Sequence, residues 1–347
     1  MINKTGARGL CGLLVAMVVV LGSHPISAKV VLRMNHQLSA QTLSSEVDAW
    51  AAQQILERTN GEVEIKIFWS EGLGKSSENL SLLKNQAMDM AAFSPAYFPA
   101  QLPFHTAPNS LPMAIDGPKQ AQVLMDRLVE EVPAYRMEQA ANGIRLISMH
   151  IINPYIPISK EPITSVADMT GLKVRTWGKH MPRMAEAVSA TPVSMSVPEI
   201  YENLSRGVID ASPFAIDLMV TYKLYEVATH VADVSLWCGP SYGVWINEGA
   251  WRKLTAEQQN VILEVYEEAK KLDLDKANAA ASEARAKLEG LGVTFHEMPE
   301  QEKLAWKEAL PDFFGEWIAE MEALGKGDDA RKSVEIWNDV IANVSPR

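Results

Sequence analysis

Cysteine is almost missing from this chain: only Cys11 and Cys238 occur in 347 residues. A fold stapled by several disulfides is therefore excluded, and stability must come from hydrophobic cores. Positive charge is also scarce, with 32 Lys and Arg against 43 Asp and Glu and a formal net charge of −11. Polyanions are bound through Lys and Arg contacts that displace counterions. Nucleic acid and anionic lipid surfaces are accordingly not expected as partners. The seven histidines are scattered, with no H-x-x-x-H or H-x-x-E-H spacing, and no carboxylate cluster resembles a calcium loop. No metal and no cofactor is expected. Beyond the first thirty residues there is no apolar run long enough to cross a bilayer as a helix.

The start of the chain is different. Lys4 and Arg8 precede an uncharged apolar run over residues 10–22, and Ser23-His24-Pro25 then breaks it. Ile26-Ser27-Ala28 puts the small residue Ala28 at the −1 place of a cleavage site, with apolar Ile26 at −3. This is the pattern of a secretory signal peptide over residues 1–28, with an apolar stretch too short to span a membrane. Cleavage before Lys29 releases an exported, soluble chain. Loss of Lys4 and Arg8 takes its formal charge from −11 to −13, and Cys238 remains as a single thiol. Length and a hydrophobic fraction of 47% suit two domains.

Periodicity sets the class. Residues 29–34 read as a strand, and Ser44 and Ser45 are candidate caps for a helix that Asn60-Gly61 stops. Glu62-Val63-Glu64-Ile65-Lys66-Ile67 alternates polar and apolar residues, as a half-buried strand does. A helix over 77–88 and a strand over 88–93 complete a β-α-β-α-β unit, which implies a parallel-type α/β sheet. The rhythm restarts near residue 145, with strands over 144–152, 172–176 and 191–195 and helices over 181–190 and 198–206. A further strand begins at Val208-Ile209-Asp210. Two such units with no low-complexity linker predict two lobes joined by short crossovers. Residues 255–288 form an Ala-, Glu-, Lys- and Leu-rich stretch almost without breakers. As a helix it would run about 50 Å, enough to lie across both lobes.

Two motifs point to chemistry. Gly239-Pro240-Ser241-Tyr242-Gly243 fits G-x-S-x-G, the nucleophile elbow of a serine hydrolase. An elbow needs a strand-to-helix turn, yet Val244-Trp245-Ile246 is β-prone, and His296 is the only later histidine. A secreted serine hydrolase using Ser241 is the alternative to a non-enzymatic reading. Gly74-Lys75-Ser76 matches the end of a P-loop, but Trp69 stands where its first glycine should be. Arg175 closes a short strand in Leu172-Lys173-Val174-Arg175-Thr176-Trp177-Gly178. Ligands of α/β sheets meet the protein beyond the carboxyl ends of strands, and a guanidinium there can hold a carboxylate by two parallel hydrogen bonds. Aromatic residues gather near other strand ends, Tyr155, Trp177, Phe214 and Trp237 among them, as core or as pocket walls.

These stretches resemble the DctP-type solute-binding proteins of TRAP (tripartite ATP-independent periplasmic) transporters. The likeness covers nearly the whole mature chain. It rests on Asn35-His36, on Glu57-Arg58-Thr59-Asn60-Gly61-Glu62-Val63-Glu64-Ile65, and on Leu73-Gly74 and Met88-Asp89-Met90. It continues through Pro162-Ile163, Asp168-Met169-Thr170-Gly171-Leu172-Lys173-Val174-Arg175, Ala190-Thr191-Pro192-Val193, Glu199-Ile200-Tyr201 and Gly207-Val208-Ile209-Asp210. The resemblance implies a two-lobed periplasmic binding protein fold with crossover strands and a long helix spanning both lobes. Lobe I would hold 29–151 plus 239–275, and lobe II 152–238 plus 276–347. It implies hinge closure on a small carboxylate, docking on TRAP membrane permease subunits, and no catalysis. Arg175 falls on the arginine that pairs with substrate in that family. Trp177, Phe214, Trp237 and Ser94 are candidate walls, and Asn35, Ser212 and Tyr155 candidate hydrogen-bonders. Where many members carry an Asn this chain has Phe214, and a second arginine is missing from Asn153-Pro154-Tyr155-Ile156. Both departures favour a monocarboxylate with an apolar or aromatic remainder.

Overall fold

A computed structural model of the chain describes residues 1–2 and 29–346. The expected leader, with Lys4, Arg8 and Cys11, lies outside the described residues but for its first two. No described helix is long and apolar enough to cross a membrane.

The N-terminal unit folds as its pattern dictates. In chain order it contains β1 (Val30–His36), α1 (Leu43–Arg58), β2 (Val63–Phe68), α2 (Asn79–Lys84) and β3 (Met90–Phe93). β1 lies between β2 and β3, parallel to both. The alternation in β2 buries Val63 and Ile65 and exposes Lys66. The cap of α1 is Thr42 rather than Ser44 or Ser45: its hydroxyl accepts from Ser45 N, and both serines lie inside the first turn. Three helices that begin with proline follow: α3 (Pro103–Ser110), α4 (Pro118–Glu131) and α5 (Pro133–Asn142). Proline fits a first turn because the N–H it lacks would have no partner there.

The second unit begins with a long strand, β4 (Ile144–Ser159), and continues with β5 (Lys173–Thr176), α6 (His180–Ala187), β6 (Thr191–Ser194) and α7 (Ile200–Ser205). Next come β7 (Ala211–Ala215), which starts just after the expected Val208-Ile209-Asp210, then α8 (Ile216–Thr221), β8 (His230–Asp233) and β9 (Trp237–Asn247). One sheet runs β2-β1-β3-β9-β4-β7-β5-β6, with β8 attached to β4. β4 and β9 are the crossovers. They pair antiparallel from Ile144 to Tyr155, with register shifts between Leu146 and Ser148, His150 and Ile151, and Ile152 and Tyr155. Such irregularities bend a ladder and let one sheet serve two lobes.

The remainder is α9 (Glu248–Trp251), α10 (Ala256–Gly290), β10 (Thr294–Glu297), α11 (Glu300–Ala309), α12 (Phe313–Ala323) and α13 (Gly327–Asn343). The 35 residues of α10 start at a capping box: Thr255 Oγ1 accepts from Gln258 N, and Gln258 Oε1 accepts from Thr255 N. The helix packs on α1, on β4 and on α8, so it braces both units. The C-terminal helices depart from the expected division. Phe313, Trp317, Met321 and Trp337 share a core with Phe104, Leu124 and Tyr135, not with the 152–238 unit.

A buried ionic cluster ties the brace to the crossovers. Asp48 on α1 accepts from His36 Nε2 and from His150 Nε2, both at 3.0 Å, and from the Tyr242 hydroxyl at 3.2 Å. His36 Nδ1 accepts from Leu38 N, which leaves its proton on Nε2. His150 Nδ1 lies 3.2 Å from Asp273 on α10. Burial alone would lower the His150 pKa, but the Asp48 and Asp273 carboxylates raise it to about 10. Burial opposes ionisation of Asp48 too, yet the two histidines hold its carboxyl well below the usual range. The cluster is an imidazolium held between two carboxylates.

Candidate functional site

The end of β5 delivers Arg175 into the space between the units. The chain then turns through Trp177 and Gly178, where φ is +61°. A Cβ on Gly178 would stand 3.1 Å from the Ala96 Cβ and 3.2 Å from the Ser110 Cβ, so only glycine lets the two units approach this closely. Beside it, the Ser110 hydroxyl and His180 Nδ1 are 2.9 Å apart. Burial pushes His180 down to about 4, so its ring is neutral; the Ser110 hydroxyl donates to Thr106 O, which leaves Ser110 Oγ to accept from His180 Nδ1–H. Farther out, Arg183 pairs with Glu316 and Lys179 with Glu320, joining α6 to α12.

Arg175 is 2% exposed and pairs with no carboxylate among the described residues. Its Nη2 donates a long bond, 3.4 Å, to Met195 O, while Nε and Nη1 have no partner. Its Cζ sits 4.4 Å from the centroid of the Trp177 ring. A buried ion without a counter-charge costs several kcal/mol. The cation–π contact returns about 1–2 kcal/mol of this. The side chain is thus a buried cation whose charge no neighbouring carboxylate neutralises.

Around it lies a chamber of about 20 Å³. One side is a set of rings: Tyr155 meets Trp177 at 5.2 Å and Trp237 at 5.0 Å, and Trp177 meets Trp237 at 5.8 Å, all edge to face. The floor is a hydrogen-bonded frame from the first unit. Gln37 Oε1 accepts from Ser94 N, the Ser94 hydroxyl donates to Asn109 Oδ1, and Asn109 Nδ2 donates to Ser241 O. Tyr97 and Val197 complete the wall. Burial pushes the Tyr97 phenol above its ordinary value, with Arg175 opposing, and does the same to Tyr155. Both hydroxyls therefore stay protonated. Past Tyr97 and Trp177 the chamber meets an outer cleft of about 370 Å³, bordered by Lys75, Glu71 and Glu199.

Five of the eight expected residues meet here: Arg175, Trp177, Trp237, Ser94 and Tyr155. Three lie elsewhere. Asn35 is a clamp inside the first unit, donating to Gly74 O and Asn79 Oδ1 and accepting from Leu73 N. The Ser212 hydroxyl donates to Pro213 O within β7, and Phe214 is buried against Tyr155 and Tyr222. Sequence reasoning missed Gln37 and Asn109, and placed Tyr97 only among the aromatics near strand ends, not among the eight. Gln37 directly follows the Asn35-His36 pair, and Tyr97 stands three residues after Ser94, which were the signals available. Ser241 borders the chamber from inside β9, not from a strand-to-helix turn, and its hydroxyl bonds no histidine. That arrangement is not a nucleophile elbow. Among the described residues no group of three or more His, Cys, Asp or Glu is placed to hold a metal ion.

The family model for DctP, "Bacterial extracellular solute-binding protein, family 7", matches residues 34–320. The chain belongs to this family. Its relatives include the C4-dicarboxylate-binding periplasmic protein DctP of Rhodobacter capsulatus, 26% identical over 321 residues, covering 87% of this chain and 92% of the relative. Among solved structures, an extracytoplasmic solute receptor of Bordetella pertussis that binds pyroglutamic acid superimposes with a TM-score of 0.82 at 19% identity. It covers 89% of this chain and 100% of the neighbour. A TRAP periplasmic solute-binding protein of Desulfovibrio salexigens with bound orotic acid gives 0.80 at 20% identity, covering 91% and 99%. The fold of this DctP-family chain is thus the two-lobed one of periplasmic binding proteins. The family is one of transport receptors rather than enzymes.

Proposed function

We propose that this protein is an exported receptor that captures a small monocarboxylate between its lobes in the periplasm and presents it to TRAP membrane permease subunits. The observation that carries the reading is Arg175: a buried guanidinium with unpartnered donors at the mouth of an aromatic chamber. A carboxylate there would replace water by charge-assisted hydrogen bonds, which are about twice as strong as neutral ones. Ser94 and the Tyr97 and Tyr155 hydroxyls surround the anion, and Trp177 and Trp237 wall it in.

One carboxylate is favoured over two. Among the described residues no second cation lines the inner chamber, and Lys75 of the outer cleft is accompanied there by Glu71 and Glu199. The passage between the spaces is flanked by Tyr97 and Trp177, which suits an apolar or aromatic remainder. The test is a thermal-shift screen of the mature chain against carboxylates, amino acids and neutral sugars. A ligand at 100 times its Kd adds about 2.7 kcal/mol of stability. A shift by monocarboxylates, lost in Arg175→Ala, supports the reading. A shift by neutral sugars alone, or an equal shift in Arg175→Ala, refutes it.

A further inference from the structure

The two units also meet away from the chamber, where α6 of the second faces α12, which packs in the core of the first. Lys179 and Arg183 stand four residues apart at the start of α6, and Glu316 and Glu320 four apart on α12. They pair as a ladder of two rungs. Arg183 donates to Glu316 through both terminal nitrogens, Nη2 at 2.9 Å from Oε1, and Lys179 donates to Glu320. Phe313 of α12 packs against the same face of α6: its ring lies 5.3 Å from the His180 ring, edge to face, and 5.2 Å from the Arg183 Cζ.

Each side of the ladder is disfavoured within its own helix. Like charges four residues apart repel, on α6 and on α12 alike. A helix also carries partial positive charge at its N-terminus and partial negative charge at its C-terminus. Yet Lys179 is the N-cap of α6 and Arg183 lies in its first turn, with no acid beside them there. Glu320 sits in the last turn of α12, which holds no base. Charges at odds with their own helices, and matched only by the facing helix, mark a contact that works between the units.

We infer that this ladder is an electrostatic latch, which holds the units together before any ligand arrives and sets how often the empty cleft is closed. The latch goes beyond the receptor reading: it depends on the units moving apart, not on what they capture. When the hinge opens, α6 leaves α12, the four charges face water, and both like-charge repulsions return. Exposed ion pairs are weak singly, and these side chains are each about two-fifths exposed. Two rungs and two relieved repulsions together shift the closed-to-open ratio about tenfold. Salt screens exposed charges, so ionic strength sets the resting state of the empty cleft.

The experiment is single-molecule energy transfer on the refolded, ligand-free mature chain, with dyes on Met137→Cys in the first unit and Val208→Cys in the second. Both positions are exposed, and the native Cys238 is buried away from the dyes. With the ladder intact, the closed-to-open ratio should fall about tenfold between about 20 mM and about 500 mM sodium chloride. Glu316→Gln with Glu320→Gln should lower the ratio about tenfold at the lower salt and make it indifferent to the higher. Exchanging the charges, Lys179→Glu and Arg183→Glu with Glu316→Lys and Glu320→Lys, should restore both the ratio and its salt dependence. Circular dichroism checks that each variant is folded. A ratio that salt does not move with the ladder intact overturns the latch, as does a glutamine variant that closes as often as the parent. A folded exchange variant that stays open overturns the pairing as its cause. If no carboxylate shifts the melting of the protein, the receptor reading fails, while the latch is still decided by these ligand-free measurements.

Discussion

Replacing Arg175 with methionine should make the empty protein more stable while destroying its ligand site. The guanidinium is buried, has one long hydrogen bond to Met195 O, and faces no carboxylate. Desolvating an ion costs several kcal/mol, and the contact with Trp177 returns about 1–2 kcal/mol. Methionine has similar length, no charge, and a flexible thioether that fills irregular space. Apolar replacement of buried ions elsewhere is neutral or stabilising by about 1–4 kcal/mol. At the size of this chain that is a rise in Tm of about 2–6 °C. The assay is denaturant unfolding of both proteins after refolding from guanidinium, so that no ligand carried from the cell stabilises the wild type. Arg175→Met losing more than about 1 kcal/mol would refute the reasoning, because Arg175 would then be holding the fold together.

The ionic cluster gives a second expectation. His150→Gln leaves Asp48 and Asp273 without their shared cation and should cost about 3–5 kcal/mol in chemical denaturation. The pH dependence follows from the raised pKa of His150. Its stabilisation is complete below the ordinary histidine value near 6.5 and is lost as pH rises through about 10. Wild-type stability should therefore fall between pH 7 and 10, with a flatter curve in His150→Gln. Gly178→Ala places a Cβ against Ala96 and Ser110 at positive φ. It should weaken ligand binding about tenfold or more by holding the lobes apart, seen as a larger radius of gyration in X-ray scattering with ligand present. Ser241→Ala should leave any background ester hydrolysis of the purified protein unchanged; a clear loss would restore the hydrolase reading.

The elements that sequence revealed best are those whose pattern is local. The alternation in β2, the Asn60-Gly61 stop after α1 and the breaker-free run of α10 each report a single element. Residues 103–142 carry no such pattern, and proline, which opens each of the three helices there at Pro103, Pro118 and Pro133, is as common in loops. The placement of α12 and α13 beside Phe104 and Leu124 depends on packing between distant segments, which no local pattern encodes. The same division holds in the site. Arg175 was legible because it ends a strand just before a glycine turn. Tyr97 and Asn109 reach the chamber only through tertiary packing, one from a short turn after β3 and the other from α3. Asn35 and Ser212 have the polar character of ligand contacts, but the fold spends Asn35 on a loop clamp and Ser212 on its own strand. Phe214 likewise reaches core, not chamber, since its ring packs behind Tyr155.

The most direct measurement is a crystal structure with the monocarboxylate that gives the largest thermal shift. A carboxylate oxygen should lie within about 3.2 Å of the Arg175 guanidinium, inside the ring of Tyr155, Trp177 and Trp237. A ligand held in the outer cleft with its carboxylate on Lys75, and Arg175 still without a partner, would contradict it.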